Sequence, residues 1–162
     1  MEKIVSARPS KENIGPIAIE LDAPTIAVTC GLHEVWLKAK KDDLMPRKRT
    51  MAADQLKELM PFVYIMNILD DGADFSVRFM GSAIAQSLGG DYTNIKMSDF
   101  ASHPSTWRTD VYRKVMARKA PMVTAVDLGD FEREYTKTEC ILLPLANDAG
   151  EFTMIMCAAA PY

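Results

Sequence analysis

Residues 75–100 constrain the fold more than any other stretch, because glycines divide them into short, distinct pieces. Phe75, Val77 and Phe79 alternate with polar residues, which is typical of a β-strand with one buried face. Gly81 breaks this strand, and a single short helix follows before a glycine pair, since glycine adopts the left-handed conformation of a helix end without penalty. So short a helix is not stable alone. We therefore expect it to lie across a sheet formed by the flanking sequence.

The flanking sequence supplies the other strands of that sheet. Residues 62–69 are apolar at nearly every position, which predicts a strand buried on both faces. Asp70-Asp71-Gly72 then predicts a hairpin turn into the strand at 75–80. Three more strands are predicted at 121–128, 133–145 and 151–160. The expected fold class is α+β, with a five-stranded, mostly antiparallel sheet and helices grouped on one face.

A leading helix is predicted at residues 29–41, with Thr29 as its N-cap. Its apolar face consists of Leu32, Val35, Trp36 and Ala39. A tryptophan on such a face must be buried either by the domain itself or by an identical helix in a dimer. We expect these four residues to form a homodimer or partner interface.

A second, longer helix is predicted from Ser102 to Lys119.

Residues 1–28 are interpreted as an N-terminal arm, in which Ile17, Ile19 and Leu21 alternate as in a short edge strand. Residues 29–160 are then the folded domain. No internal repeat divides the chain.

Composition and charge exclude several classes of function. The net charge is −3 with acidic and basic residues interleaved, so neither a nucleic-acid partner nor a membrane surface is expected. No apolar run is long enough to span a bilayer. The three cysteines are odd in number and far apart, which favours a reducing cytoplasm over a disulfide framework. With only two histidines in the chain, no metal site is expected.

The order of these elements resembles the PAS domain, and more closely a family of short, single-domain PAS proteins from bacteria. The residues that carry the resemblance are Trp36, Leu59-Met60-Pro61, Phe75–Gly81, Leu88-Gly89, Val111-Tyr112 and Leu142–Leu145. The resemblance covers residues 32–160. It implies a sensory or protein-interaction module whose sheet and short helix surround a central cavity.

Departures from better-known relatives limit the cofactor. Flavin-binding light sensors of this fold need a cysteine in an Asn-Cys-Arg-Phe-like stretch, which this chain lacks. Haem-binding members use a histidine on the long helix, whereas His103 stands at or before its start. Gly89-Gly90-Asp91-Tyr92 is similar to a cyclic-dinucleotide synthase signature but follows a helix instead of forming a hairpin turn. Flavin and haem are therefore not expected, and the cofactor stays unknown.

The resemblance places a candidate ligand cavity among apolar residues. Its expected lining residues are Phe79, Met80, Ile84, Leu88, Met97, Trp107, Val111, Tyr135 and Met154. The chain has eleven methionines, whose flexible side chains suit either adaptable core packing or a pliable pocket. All nine lining residues could equally form solid core.

Three functions stay open at this point. The first is a non-enzymatic sensory or interaction module in bacterial signalling, cytoplasmic and homodimeric, with a signalling protein as a further partner. The second is a small enzyme that transfers protons through a buried group, for which the candidates are Asp99, His103, Asp127 and Glu139. The third is a scaffold without a cavity, with a broad apolar patch around Trp36.

Overall fold

The computed structural model describes residues 17–100, 108–127 and 137–162. The strands in these residues are β1 (Ile17–Leu21), β2 (Val63–Leu69), β3 (Asp74–Met80), β4 (Met122–Asp127), β5 (Lys137–Ala146) and β6 (Phe152–Pro161). The α-helices are α1 (Ala27–Lys40), α2 (Ala53–Leu56), α3 (Ser82–Leu88) and α4 (Arg108–Arg118). The α+β class predicted from the sequence is confirmed.

The strands form a six-stranded sheet in the order β1-β4-β5-β6-β2-β3, and each neighbouring pair is antiparallel. All five predicted strands are present. The sixth, β1, comes from the segment interpreted as an arm, and it pairs with β4 so that Leu21 lies opposite Val123. The Glu20 carboxylate also forms an ion pair with Arg118 at the end of α4. Residues 17–21 are therefore an edge of the sheet.

Strict alternation along β5 and β6 divides the core into two layers, because neighbouring side chains of a strand point to opposite faces. Ile141 and Leu143 pack with α1 on one side, which we call the α1 face. Leu142 and Cys157 pack with α4 on the other side, which we call the α4 face. Residues of α3 also pack on the α4 face. The helix predicted to lead the domain thus covers the face opposite the other two.

The central stretch folds as its glycines predict. Helix α3 ends at Gly89, whose φ of 85° is left-handed, and the Gly89 amide donates to the carbonyl of Gln86. The chain then returns along β3, where the Asn94 amide donates to the carbonyl of Val77 at 2.6 Å. This return covers part of the outer edge of β3, which would otherwise present unpaired backbone groups.

The apolar face of α1 is buried inside its own chain. Leu32 and Trp36 are 0% and 1% exposed, and the Trp36 indole Nε1 donates a hydrogen bond to the carbonyl oxygen of Pro144 at 2.8 Å. Of the two ways to bury Trp36, the structure shows the domain itself. Leu32, Val35 and Trp36 are therefore core residues and are not exposed to a second chain, and Ala39 is half-buried.

Replacing Trp36 with phenylalanine is expected to lower the free energy of unfolding by about 2 kcal/mol, because the change removes the indole donor and leaves a small void. Urea denaturation would measure this. The neighbouring Leu37→Ala is the control, since Leu37 is 45% exposed and its truncation is expected to cost much less. Equal effects at the two positions would contradict the packing of α1 described above.

Candidate functional site

A buried hydroxyl without a partner marks the α4 face. Thr124, in the middle of β4, is 2% exposed, and its Oγ1 makes no hydrogen bond within the part of the chain that the structure describes. Thr124 lies opposite Cys140 in the register of β4 and β5, and both side chains therefore point to the α4 face. A buried hydroxyl that forms no hydrogen bond is costly, so such groups are rare in folded proteins.

Other polar atoms lie on the same face of the sheet as Thr124. The Tyr64 hydroxyl on β2 lies 3.4 Å from the Sγ of Cys140 on β5. Cys157 on β6 is opposite Tyr64 in the register and is 0% exposed. A hydroxyl and two thiols thus extend across β2, β6 and β5 toward the strand that carries Thr124, in a layer made mostly of apolar side chains. We call Tyr64, Thr124, Cys140 and Cys157 the polar cluster.

Six of the nine predicted cavity residues are buried or partly buried in the structure, but they are divided between the two faces of the sheet. Four of them lie on the α4 face: Met80, Ile84, Met97 and Val111. Phe79 and Met154 belong instead to the layer under α1. Leu88 is exposed at 37% because it ends α3 on the solvent side. Trp107 and Tyr135 fall outside the described residues. A cavity on the α4 face would therefore involve the first four residues together with the polar cluster.

Sequence reasoning missed the polar cluster. In the sequence, nothing distinguishes Tyr64 and Cys140 from other residues of the predicted strands. Thr124 is the one polar residue within the apolar run 122–126. A threonine is common in strands because its branched side chain packs well there. Only the pairing of β4 with β5 shows that the side chain of this threonine points to the α4 face.

A second polar site lies on the α1 face, where Glu139 holds the start of α1. Glu139 is 1% exposed, and its carboxylate accepts four hydrogen bonds, from the amides of Thr25 and Ile26 and the hydroxyls of Thr25 and Thr29. The predicted N-cap role of Thr29 is therefore wrong. Helix α1 begins at Ala27, and a carboxylate from β5 satisfies the backbone donors before it.

These contacts decide the protonation of Glu139. Burial alone would raise the pKa of the Glu139 carboxyl, but the hydrogen bonds donated by Thr25, Thr29 and Ile26 outweigh burial and hold this pKa below its ordinary value of 4.5. A carboxylate with a lowered pKa and occupied oxygens is a weak general base.

The other proton-transfer candidates gain no support from the described residues. Asp99 is exposed, away from any buried site. His103 and the side chain of Asp127 fall outside what the structure describes. The arrangement around Glu139 fits a structural tie between β5 and α1 better than it fits an acid or base.

Within residues 17–100, 108–127 and 137–162, no group of three His, Cys, Asp or Glu side chains is placed to hold a metal ion. No helix in those ranges is long and apolar enough to cross a membrane. The three cysteines are not joined by disulfides.

Comparison with known proteins identifies the family. A family model described as PAS domain matches residues 25–159, which is most of the chain. No curated protein and no solved structure matches the chain significantly. The match includes α1, strands β2 to β5 and most of β6, so it covers both faces of the sheet. The chain therefore belongs to the PAS domain family.

Proposed function

We propose that this protein is a non-enzymatic sensory or interaction module in bacterial signalling, which binds a small ligand on the α4 face of its sheet. Membership of the PAS domain family supports the sensory role in general terms. The observation that carries the ligand is the buried Thr124 hydroxyl, whose hydrogen-bonding capacity is unused among the described residues.

The ligand we propose has a polar group that meets Thr124 and an apolar part that packs beside it. The polar group would exchange a hydrogen bond with Thr124 Oγ1, next to the Tyr64 hydroxyl and the Cys140 thiol. The apolar part would contact Met80, Met97 and Val111, which are buried on the same face. Methionines adapt to ligands of varied shape because their side chains are unbranched and flexible.

The two faces of the sheet are joined at one point in β5. Cys140 faces the proposed ligand, and the preceding residue, Glu139, faces α1 and holds its first turn. A small shift of β5 on ligand binding would therefore change the contacts of Glu139 with Thr25 and Thr29. In this proposal the signal leaves the domain as a change in how α1 packs.

The partner of this module would be a second copy or another signalling protein. Since Leu32, Val35 and Trp36 are buried within the chain, a homodimer through α1 would use its outer side chains, such as the exposed Leu37. A cytoplasmic location is part of the proposal and is supported by three cysteines that form no disulfide. Native mass spectrometry of the purified protein would measure the mass of each particle and therefore give the oligomeric state.

Replacing Thr124 with valine tests the ligand site, because the two residues have nearly the same shape. In the ligand-free protein the variant is expected to be more stable by about 1 kcal/mol, since an unpaired buried hydroxyl is removed. In the ligand-bound protein the same change is expected to weaken binding about five- to tenfold, since one hydrogen bond is lost. Native mass spectrometry, compared with a denatured sample, would detect the ligand as mass lost on unfolding.

Thr153→Val is the matched control. Thr153 lies on β6 and is only half-buried, so water can reach its hydroxyl and neither stability nor ligand occupancy should change appreciably. The ligand proposal fails if the wild-type protein carries no extra mass and takes up none from a cell extract. It also fails if Thr124→Val leaves the occupancy of a bound ligand unchanged.

A further inference from the structure

A groove on the opposite side of the molecule lies between the end of α1 and the segment that follows it. Its volume is about 560 Å³, which is within the range of small-molecule sites. The residues that line it are Val35, Lys38, Ala39, Lys41, Asp43, Pro46, Arg47, Thr50, Ala52 and Gln55. The groove is on the α1 side of the sheet, and it is therefore separate from the polar cluster around Thr124.

The walls of this groove carry an excess of positive charge. Lys38, Lys41 and Arg47 line it together with one carboxylate, that of Asp43. None of these three cations forms an ion pair with another described residue. The neighbouring Lys40 differs, because its Nζ donates to the carbonyl oxygens of Lys41 and Asp43 at 3.2 and 3.1 Å. Lys40 therefore serves the carbonyl groups at the end of α1, and the other cations stay available.

Arg47 is held in place by backbone contacts. The carbonyl oxygen of Pro46 accepts a hydrogen bond from the amide of Ala146 at 2.9 Å, and Arg47 forms a parallel bridge with the same residue. The Arg47 guanidinium lies over Gly150, where an added Cβ would be 3.2 Å from Nη2. An arginine whose guanidinium already packs against the chain loses less side-chain freedom when it binds an anion.

Four of the residues that line the groove are apolar. Val35 is buried, Ala39 and Ala52 are half-buried, and Pro46 is buried. Three exposed cations beside these apolar residues suit a ligand with an anionic head and a short apolar body. A neutral ligand would gain nothing from the cations, and a fully hydrated ion would gain nothing from the apolar residues.

We propose that this groove binds a small amphiphilic anion. Its carboxylate or phosphate head would lie between Arg47 and the two lysines, where Arg47 can donate two parallel hydrogen bonds. Its apolar part would cover Val35, Ala39 and Ala52. This site is independent of the ligand proposed for the α4 face, since the sheet separates the two.

Titration of the ¹⁵N-labelled full-length protein with octanoate, octyl phosphate and octanol, each below its micelle concentration, tests the proposal. We expect saturable amide shifts within residues 35–55 for at least one of the two anions and none for octanol. Shifts with octanoate alone would indicate a carboxylate ligand, and shifts with octyl phosphate alone would indicate a phosphate. Saturation by neither anion, or equal binding of octanol, would overturn the proposal.

Two variants locate the anionic head. Arg47→Gln is expected to raise the Kd of the bound anion about tenfold, because a charge-assisted hydrogen bond is lost. Lys114→Gln is the control, since Lys114 is exposed on α4 at the other side of the sheet and should leave the Kd unchanged. An unchanged Kd in Arg47→Gln, with that variant folded by its amide spectrum, would also overturn the proposal. Neither result depends on occupancy of the α4 face.

Discussion

Replacing Gly81 with alanine is expected to lower the free energy of unfolding by at least about 3 kcal/mol, beyond the usual range for an overpacked side chain. The added Cβ would lie 2.1 Å from the carbonyl oxygen of Met60 and 2.5 Å from that of Pro61. Both atoms belong to the backbone of the short segment Met60–Phe62 that precedes β2, and the Gly81 amide donates to the carbonyl of Val63 at 2.7 Å. No side-chain rotation can relieve this clash, so the backbone must move.

Thermal and urea unfolding would measure the effect, with Gly90→Ala as the matched control. An added Cβ at Gly90 would have its nearest neighbour, an atom of the Tyr92 ring, at 4.0 Å. That substitution is therefore expected to change the free energy of unfolding by less than about 0.5 kcal/mol. Similar stabilities for the two variants would contradict the close approach of Gly81 to the segment before β2.

Replacing Glu139 with alanine is expected to lower the free energy of unfolding at neutral pH by about 3 kcal/mol, because one buried hydroxyl and three partly buried donors lose their acceptor together. The amides of Thr25 and Ile26 lie 2.9 and 3.4 Å from Oε2, and the hydroxyl of Thr29 also donates to it. The first turn of α1 would lose its tie to β5. We expect hydrogen exchange to quicken first at the amides of residues 25–31.

The same residue predicts how stability depends on pH. The folded protein holds the pKa of Glu139 below the ordinary value of 4.5, so the unfolded chain takes up a proton at a higher pH than the folded one does. The stabilisation from Glu139 is therefore complete above pH 4.5 and is lost as the pH falls through the lower, folded-state pKa. In Glu139→Ala the loss of stability on acidification should be smaller than in the wild type.

Glu58→Ala is the control for both measurements. Glu58 is exposed, so its truncation should alter neither the free energy of unfolding nor its pH profile appreciably. An acid profile in Glu139→Ala that is parallel to the wild-type profile would mean that Glu139 is not held by the contacts described. Unchanged hydrogen exchange in residues 25–31 would mean that it does not secure α1.

The pattern of the sequence predicted the local elements well, since each depends on neighbouring residues. The alternation of Phe75 and Val77 predicted β3, and Gly89 ended α3 in the predicted left-handed conformation. Phe79, which was expected on the same face, lies in the other layer because the pairing of β2 with β3 shifts register at Ile65/Met66. The apolar run at 62–69 indicated a strand buried on both faces, and β2 contributes Ile65 to one layer and Met66 to the other. The order of these elements was also sufficient to indicate the PAS domain family, which the family match confirms.

The site was harder to predict because it depends on strand pairing. Thr124 is an ordinary strand residue until β4 pairs with β5 and turns its hydroxyl toward Cys140. The nine expected cavity residues were chosen by family position and apolar character, and these criteria do not distinguish the two faces. Phe79 and Met154 therefore joined the list although they pack under α1.

The local sequence pattern was thus enough to predict the strands, the turns, the short helix and the fold class. Backbone preferences and side-chain periodicity act over only a few residues, so a short stretch of sequence reveals them. Contacts between distant residues decided the rest. Glu139 was predicted only as a candidate for proton transfer, yet it is a buried acceptor because the start of α1, over a hundred positions earlier, donates hydrogen bonds to it. Trp36 could have been buried by a dimer, but it packs in the apolar layer of its own chain, where the Pro144 carbonyl accepts its indole hydrogen bond. Partners so far apart in sequence leave no local pattern, and only the folded sheet brings them together.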